Sequence, residues 1–238
     1  LAANSCEGFL NKFQESYNPC DNWKAFIIKG GPGTGKSSFM KKVAQCAEQS
    51  GTDYILCPCS SDPDSLDGVI LPEKKTIILD GTAPHTIDPL YPAVCEEILN
   101  FGEFWDNSKI TDTKEIIEIT NCNKFLHQTV SRYLQAVGKI MTDNYKTALS
   151  CTKKNKIKNF ANTLCKRYIP KTNGIAYEWV RFIEGITPKG VISYPQTITQ
   201  QCKNIVIISD EYYASSNILM EEQLNNRIIS PDKIIDLL

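Results

Sequence analysis

The sequence predicts an α/β protein: a mainly parallel sheet flanked by helices, with an inserted helical hairpin and the start of a degenerate second copy of its first strand-loop-helix unit. Three observations carry this. The apolar run Ala25 to Lys29 leads into Gly30-Gly31-Pro32-Gly33-Thr34-Gly35-Lys36-Ser37, and a helical pattern follows over 38–49 with Phe39, Met40, Val43 and Ala47 on one face. The run Thr76-Ile77-Ile78-Leu79-Asp80 reads as a buried parallel strand ending in a carboxylate. The apolar framework of 26–42 returns at 206–222 without a gap.

In the first unit the glycines let the backbone turn so that successive N–H groups point inward at phosphate oxygens. The start of the helix adds the positive end of its dipole. Gly31, Pro32, Gly33, Thr34, Gly35, Lys36, Ser37 and Ser38 would form that cradle. Lys36 is expected to reach the β- and γ-phosphates, and Ser37 to offer its hydroxyl to magnesium. All four fixed positions of a P-loop match, so a P-loop NTPase binding ATP and Mg2+ is expected. The motif specifies triphosphate binding and not the use made of it.

Asp80 is the candidate second magnesium ligand, directly or through water; a turn cap formed with Gly81 is the plainer alternative. Residue 81 is glycine, so the glutamate that commonly follows this acid in AAA-type ATPases is missing and a hydrolytic base must come from elsewhere. His85, one of only two histidines, is the candidate γ-phosphate sensor or water-positioning group, against a loop histidine held by hydrogen bonds. A strand over 53–58 leads into Cys59-Ser60-Ser61-Asp62-Pro63-Asp64. In open α/β sheets the strand ends line the ligand crevice. Asp62 and Asp64 are therefore candidates for contact with a substrate hydroxyl, an attacking water or magnesium, against an Asx-Pro turn and a cap at Asp64-Ser65. The catalytic candidates are thus Lys36, Asp80, Asp62 and His85. No Asn-Lys-x-Asp guanine signature is present, Asn123-Lys124 being followed by Phe125-Leu126, and adenine is the default base.

An aromatic-rich helix is expected over 91–105. A helical insertion is expected at about 110–170, with Ile116, Ile119, Leu126, Val130, Leu134, Val137 and Met141 at helical spacings, inside a P-loop domain of 1–188. Between Tyr145 and Thr172 stand eight basic residues and no acid: Lys146, Lys153, Lys154, Lys156, Lys158, Lys166, Arg167 and Lys171. This basic 146–171 segment reads as a solvated helix face, or else as a lid over phosphates or a surface for an acidic partner or nucleic acid. A strand over 175–186 would carry Arg181, for surface pairing or for the γ-phosphate in cis or in trans.

Composition narrows the classes. The 238 residues are 42% hydrophobic and 22% charged with a formal net charge of −1, so the chain as a whole has no footprint of a nucleic-acid or membrane-surface binder. No run reaches the ~18 apolar residues of a membrane span, the start lacks a signal peptide, and a cytoplasmic protein with no membrane partner is expected. The 10 cysteines are expected reduced, and Cys57-Pro58-Cys59 has no zinc-site spacing. Leu1 and the apolar run ending at Leu238 suggest cuts in a longer protein.

Residues 189–238 read as the partial second copy. Gly30, Gly35, Lys36 and Ser37 correspond there to Asp210, Ser215, Ser216 and Asn217. The framework that packs a strand against a helix is kept, while Asp210 and Glu211 would repel phosphate, so this second loop is expected to fold and bind none. Gly8-Phe9-Leu10 likewise parallels Gly190-Val191-Ile192, and the second copy is too short near Arg227 to repeat the strand at 53–58.

Together, the glycine loop, Cys59-Ser60-Ser61-Asp62-Pro63-Asp64-Ser65-Leu66-Asp67-Gly68 and Asp80-Gly81-Thr82-Ala83-Pro84-His85 resemble a poorly characterised family of bacterial tandem P-loop ATPases, seen mainly in Gram-positive spore formers. The resemblance extends to Tyr91-Pro92, Phe104-Trp105-Asp106 and Ile186-Thr187-Pro188. It implies an ATP-binding protein with two P-loop-type halves and no settled substrate. Three functions compete: an ATPase whose nucleotide state switches a partner, a small-molecule or nucleotide kinase in which Asp62 serves the acceptor, and a nucleotide-gated binding protein with negligible turnover.

Overall fold

The computed structural model describes residues 1–83, 86–168, 179–180, 182, 184–194, 196–197, 210, 212–218 and 234–235. Two units emerge, 1–131 with 184–193, and 132–183 with 194–238. His85, Lys171, Arg181, Glu211, residues 206–209 and the stretch around Arg227 lie outside the described residues.

The first unit opens on a hairpin, β1 (Ala2–Ser5) with β2 (Gly8–Asn11). Its sheet then begins with β3 (Lys24–Lys29), which feeds α1 (Lys36–Gln49). Next come β4 (Ile55–Pro58), β5 (Leu66–Leu71), β6 (Thr76–Asp80) and β7 (Glu96–Asn100), in the spatial order β4-β5-β6-β3-β7. β3 is parallel to both β6 and β7, while β5 is antiparallel to both β4 and β6.

The sheet is therefore mixed, where a mainly parallel one was expected. The difference is β5. Only Pro72–Lys75 separate β5 from β6, a turn closed by Lys75 N donating to Pro72 O at 3.0 Å, and parallel neighbours need a crossover of a dozen or more residues. Asp67 and Gly68 disguise the strand, yet Asp67 is buried and Gly68 lets β6 come close: a Cβ there would lie 3.2 Å from Ile78 O.

The stretch 91–105 is corrected as well. It forms β7 and a 3-10 helix at Phe101–Phe104, not an aromatic helix. The open edge of β3 needs a hydrogen-bonding partner, and that tertiary demand outweighs local pattern. Glu96 fixes the strand's start, accepting from the Tyr17 hydroxyl and, at 2.6 Å, from Tyr91 N. Burial, and then the Glu96 carboxylate, push the Tyr17 phenol up from its ordinary range.

Alternation along β3 divides the core. Ala25 and Ile27 pack with Phe13, Tyr17, Trp23, Ile77 and Leu79 on one face, while Ile28 joins Met40 of α1, Leu66, Val69 and Ile78 on the other. Each fully buried Ile or Leu contributes ~1.5–3 kcal/mol by leaving water. The loop between β3 and α1 is thus held at both ends by core residues.

The expected helical stretch over 110–170 forms as α2 (Thr113–Cys151) and α3 (Lys154–Tyr168). In the second unit β8 (Trp179–Val180) pairs in parallel with a last strand at Ile234–Ile235, and in the first unit β9 (Glu184–Thr187) pairs antiparallel with β10 (Gly190–Ser193). The expected strand over 175–186 is therefore two short pieces among the described residues. Asn4 Nδ2 donates to Ile186 O at 3.1 Å, and Lys189 Nζ meets Asp64 Oδ2 at 2.5 Å, tying the β9–β10 hairpin to its own unit. The last strand, at 234–235, is β11. Among the described residues no helix is long and apolar enough to cross a membrane.

Candidate phosphate-binding site

The loop between β3 and α1 takes the shape that its glycines permit. Gly33 and Gly35 have φ of 81° and 83°, left-handed values that a Cβ would strain, and Gly35 caps α1. Gly30 and Gly31 serve close approach: a Cβ at 30 would lie 2.8 Å from Thr34 Oγ1, and one at 31 would lie 2.8 Å from Trp105 Cη2. Thr34 closes the turn by donating to Gly31 O at 2.8 Å.

Lys36 folds back into this loop. Its ammonium donates to Gly30 O at 2.6 Å and to Gly31 O at 3.1 Å, and stands 3.6 Å from Asp80 Oδ2. Both side chains are mostly buried, at 12% and 14% exposure. Asp80 reaches this place because β6 is the immediate neighbour of β3, with Ile28 opposite Asp80 in the register. Ser37 sits in the first turn of α1, and its Oγ accepts from Leu66 N at 3.0 Å. Pro32, Gly33, Gly35 and Ser38 are solvent-exposed along the same rim.

Thr82 locks the two strand ends together, a role the sequence reading did not assign. Its N–H donates to Asp80 Oδ1 at 2.8 Å, its hydroxyl donates to Gly30 O at 2.9 Å, and its Oγ1 accepts from Gly30 N at 3.3 Å. A short polar residue two places after a strand-end acid was the available signal. Gly81 explains the missing glutamate: a Cβ there would lie 2.4 Å from Ile27 Cγ2 and 3.1 Å from Ile87 O. Lys29 was also missed; it fastens the following loop through Gly81 O at 3.0 Å, Ile87 O at 2.6 Å and Asp88 Oδ1 at 2.9 Å.

Asp62 is engaged in its own turn. Oδ1 accepts from Asp64 N at 3.3 Å and Oδ2 from Ser65 Oγ at 2.5 Å, and the Ser65 hydroxyl is the main cause of a carboxyl held below its ordinary range. That is the Asx geometry weighed above, although it leads into β5 and not into a helix. Asp64 pairs with Lys189. Burial, then the Asp67 carboxylate, push the neighbouring Cys59 thiol up to about 12.

Among the described residues no cluster of three or more His, Cys, Asp or Glu side chains is placed to hold a metal. The donors beside the loop, one carboxylate and one hydroxyl, fit magnesium in the manner of nucleotide sites, where phosphate oxygens and water complete the octahedron. Chemically, the arrangement offers an anion the helix start, the loop amides and one ammonium. In the basic segment Lys146, Lys153, Lys154, Lys156, Lys166 and Arg167 are exposed, and Lys146 also stands 3.6 Å from Asp143. No family model, curated protein or solved structure matches the chain. The resemblance to tandem P-loop ATPases therefore rests on its motif residues alone.

Proposed function

We propose that the chain is a P-loop NTPase domain that binds ATP with magnesium and hydrolyses it, coupling the nucleotide state to a conformational switch or a partner. The observation that carries this reading is the left-handed Gly33–Gly35 loop with Lys36 drawn inside it, 3.6 Å from the strand-end Asp80. Loop amides and the start of α1 bind the phosphates, and Lys36 exchanges its carbonyl partners for β- and γ-phosphate oxygens. Magnesium, held by Ser37 and Asp80, supplies charge neutralisation at the γ-phosphate. Thr82 relays the position of Asp80 to Gly30, so a change at the γ-phosphate is felt at the end of β6 and in the loop after it.

A second reading, nucleotide-gated binding with negligible turnover, is favoured by Gly81, whose contacts with Ile27 leave no room for an acid at the position after Asp80. One experiment separates the readings. The protein is incubated with ATP and magnesium, alone and with a pool of nucleosides and metabolites, and phosphate release is followed against phosphoryl transfer. Release without an acceptor supports the ATPase, acceptor-dependent transfer the kinase, and tight binding without either the gated binder.

A further inference from the structure

The loop has two different flanks. β6 lies on one side of β3 and brings Asp80 and Thr82; β7 lies on the other and brings Phe101 to Trp105 from its carboxyl end. A nucleoside triphosphate also has two different ends. Its γ end belongs on the flank with the acid and the Lys36 ammonium, which directs its base toward the β7 flank.

That flank carries an aromatic cluster. Phe39 of α1 meets Phe101 edge-on with centroids 5.3 Å apart, and Phe101 meets Phe104 in the same way at 5.5 Å. Phe101 Cβ lies 3.0 Å from where a Cβ on Gly30 would be, so the cluster is anchored on the loop itself. Beyond it Trp105 sets the Cη2–Cζ2 edge of its indole against Gly31 while keeping 45% of its surface exposed. A core tryptophan would be covered. One fixed at its edge and still nearly half exposed has surface left over for a ligand, and base–aromatic stacking needs only a π-face.

We propose that Trp105 is the platform on which the purine base of the bound nucleoside triphosphate stacks, held by its backbone N–H donating to Gly102 O at 3.3 Å and by its indole edge against Gly31. This rests on the phosphate-site reading above and adds the base subsite to it. Gly31 then has two tasks: its backbone faces the phosphates, and its lack of a Cβ admits the indole edge.

The test is calorimetry with ATP, UTP and inorganic tripolyphosphate, each with magnesium, on the wild type, Trp105→Ala and Trp105→Phe. ATP should bind the wild type more tightly than UTP. Trp105→Ala should weaken ATP about tenfold, within the range for loss of one base–aromatic stack, and leave tripolyphosphate unchanged. Trp105→Phe should recover most of the loss. Unchanged ATP affinity in Trp105→Ala, with tripolyphosphate still bound, overturns the platform and leaves the phosphate site standing. Equal weakening of ATP and tripolyphosphate also overturns it, because the indole would then be shaping the loop and not receiving a base. If the wild type binds neither ATP nor tripolyphosphate, the phosphate site falls and the platform with it.

Discussion

Lys36 Nζ stands 3.6 Å from Asp80 Oδ2, with the ammonium also bonded to Gly30 O and Gly31 O. The lysine's charge is thus held by neutral carbonyls and one carboxylate, all of which a polyphosphate can replace. Lys36→Ala is expected to weaken ATP–magnesium binding by at least about a hundredfold, since charge-assisted contacts are worth ~1.5–3 kcal/mol each and it removes more than one, and Ser37→Ala, which removes one, by at least about tenfold. The fold should survive, because neither side chain belongs to the hydrophobic core. Calorimetry beside a thermal melt checks both halves; unchanged affinity in Lys36→Ala would sink the P-loop reading.

Gly81→Glu is expected to damage the fold without supplying a hydrolytic base. Its Cβ would press on Ile27, which is fully buried, and overpacking of this kind costs about 1–3 kcal/mol. The urea midpoint should fall, and phosphate release by the surviving folded fraction should not rise. A variant as stable as the wild type would show that the strand end yields more than its packing implies.

Among the described residues Cys6, Cys20, Cys46, Cys57, Cys59, Cys95, Cys122 and Cys151 are in no disulfide, and their reactivities should differ. The thiolate is the reactive form. With its thiol pushed up to about 12 by burial and Asp67, Cys59 stays protonated at pH 8, whereas the same cysteine in the unfolded chain ionises near its ordinary ~8.5. Alkylation at pH 8 followed by mass spectrometry should label exposed Cys6, Cys46 and Cys151 first and Cys59 much later, and raising the pH to 9.5 should leave Cys59 slow. Urea should abolish the difference. Labelling of Cys59 at the rate of Cys6 in the folded protein would refute it.

Legibility followed the kind of signal. The β3-loop-α1 unit was readable because its glycines are demanded by local φ values and close contacts, which a sequence displays directly. β6 and its Asp80 were readable as an apolar run with a carboxylate at its end. β5 was not, because Asp67 and Gly68 interrupt its apolar pattern for tertiary reasons, and β7 was not, because its place is set by the open edge of β3. Thr82 escaped for the same reason: its two bonds with Gly30 join residues 52 positions apart. Position makes Asp62 a candidate, while both its oxygens are engaged locally, with Asp64 N and the Ser65 hydroxyl, in a turn that position alone does not display.

The second copy carries the last prediction: residues 204–227 bind no phosphate, and each chain binds one nucleotide. The described part of this region keeps one left-handed position of the first loop and loses the other, its helix starting at residue 214, two places before the counterpart of Lys36. Tyr213, 180 positions after Gly33, has φ of 60° against 81°, and residues 214–218 are helical with Ala214 and Ile218 buried. The amides at the helix start are already taken. Asp210 Oδ2 accepts from Ser215 N at 2.6 Å, Ser216 N at 2.8 Å and Ser216 Oγ at 3.3 Å. Burial alone would raise the Asp210 carboxyl, yet these donors together with Tyr212 N hold it below its ordinary range, so it is ionised at neutral pH. A carboxylate fixed on those amides stands where a phosphate would have to bind and repels it. Ser216→Lys should therefore leave the stoichiometry at one nucleotide per chain, because the added ammonium would meet Asp210 before any phosphate. Calorimetric titration with ATP and magnesium reads the number directly, and two nucleotides per wild-type chain would show that the second loop is live.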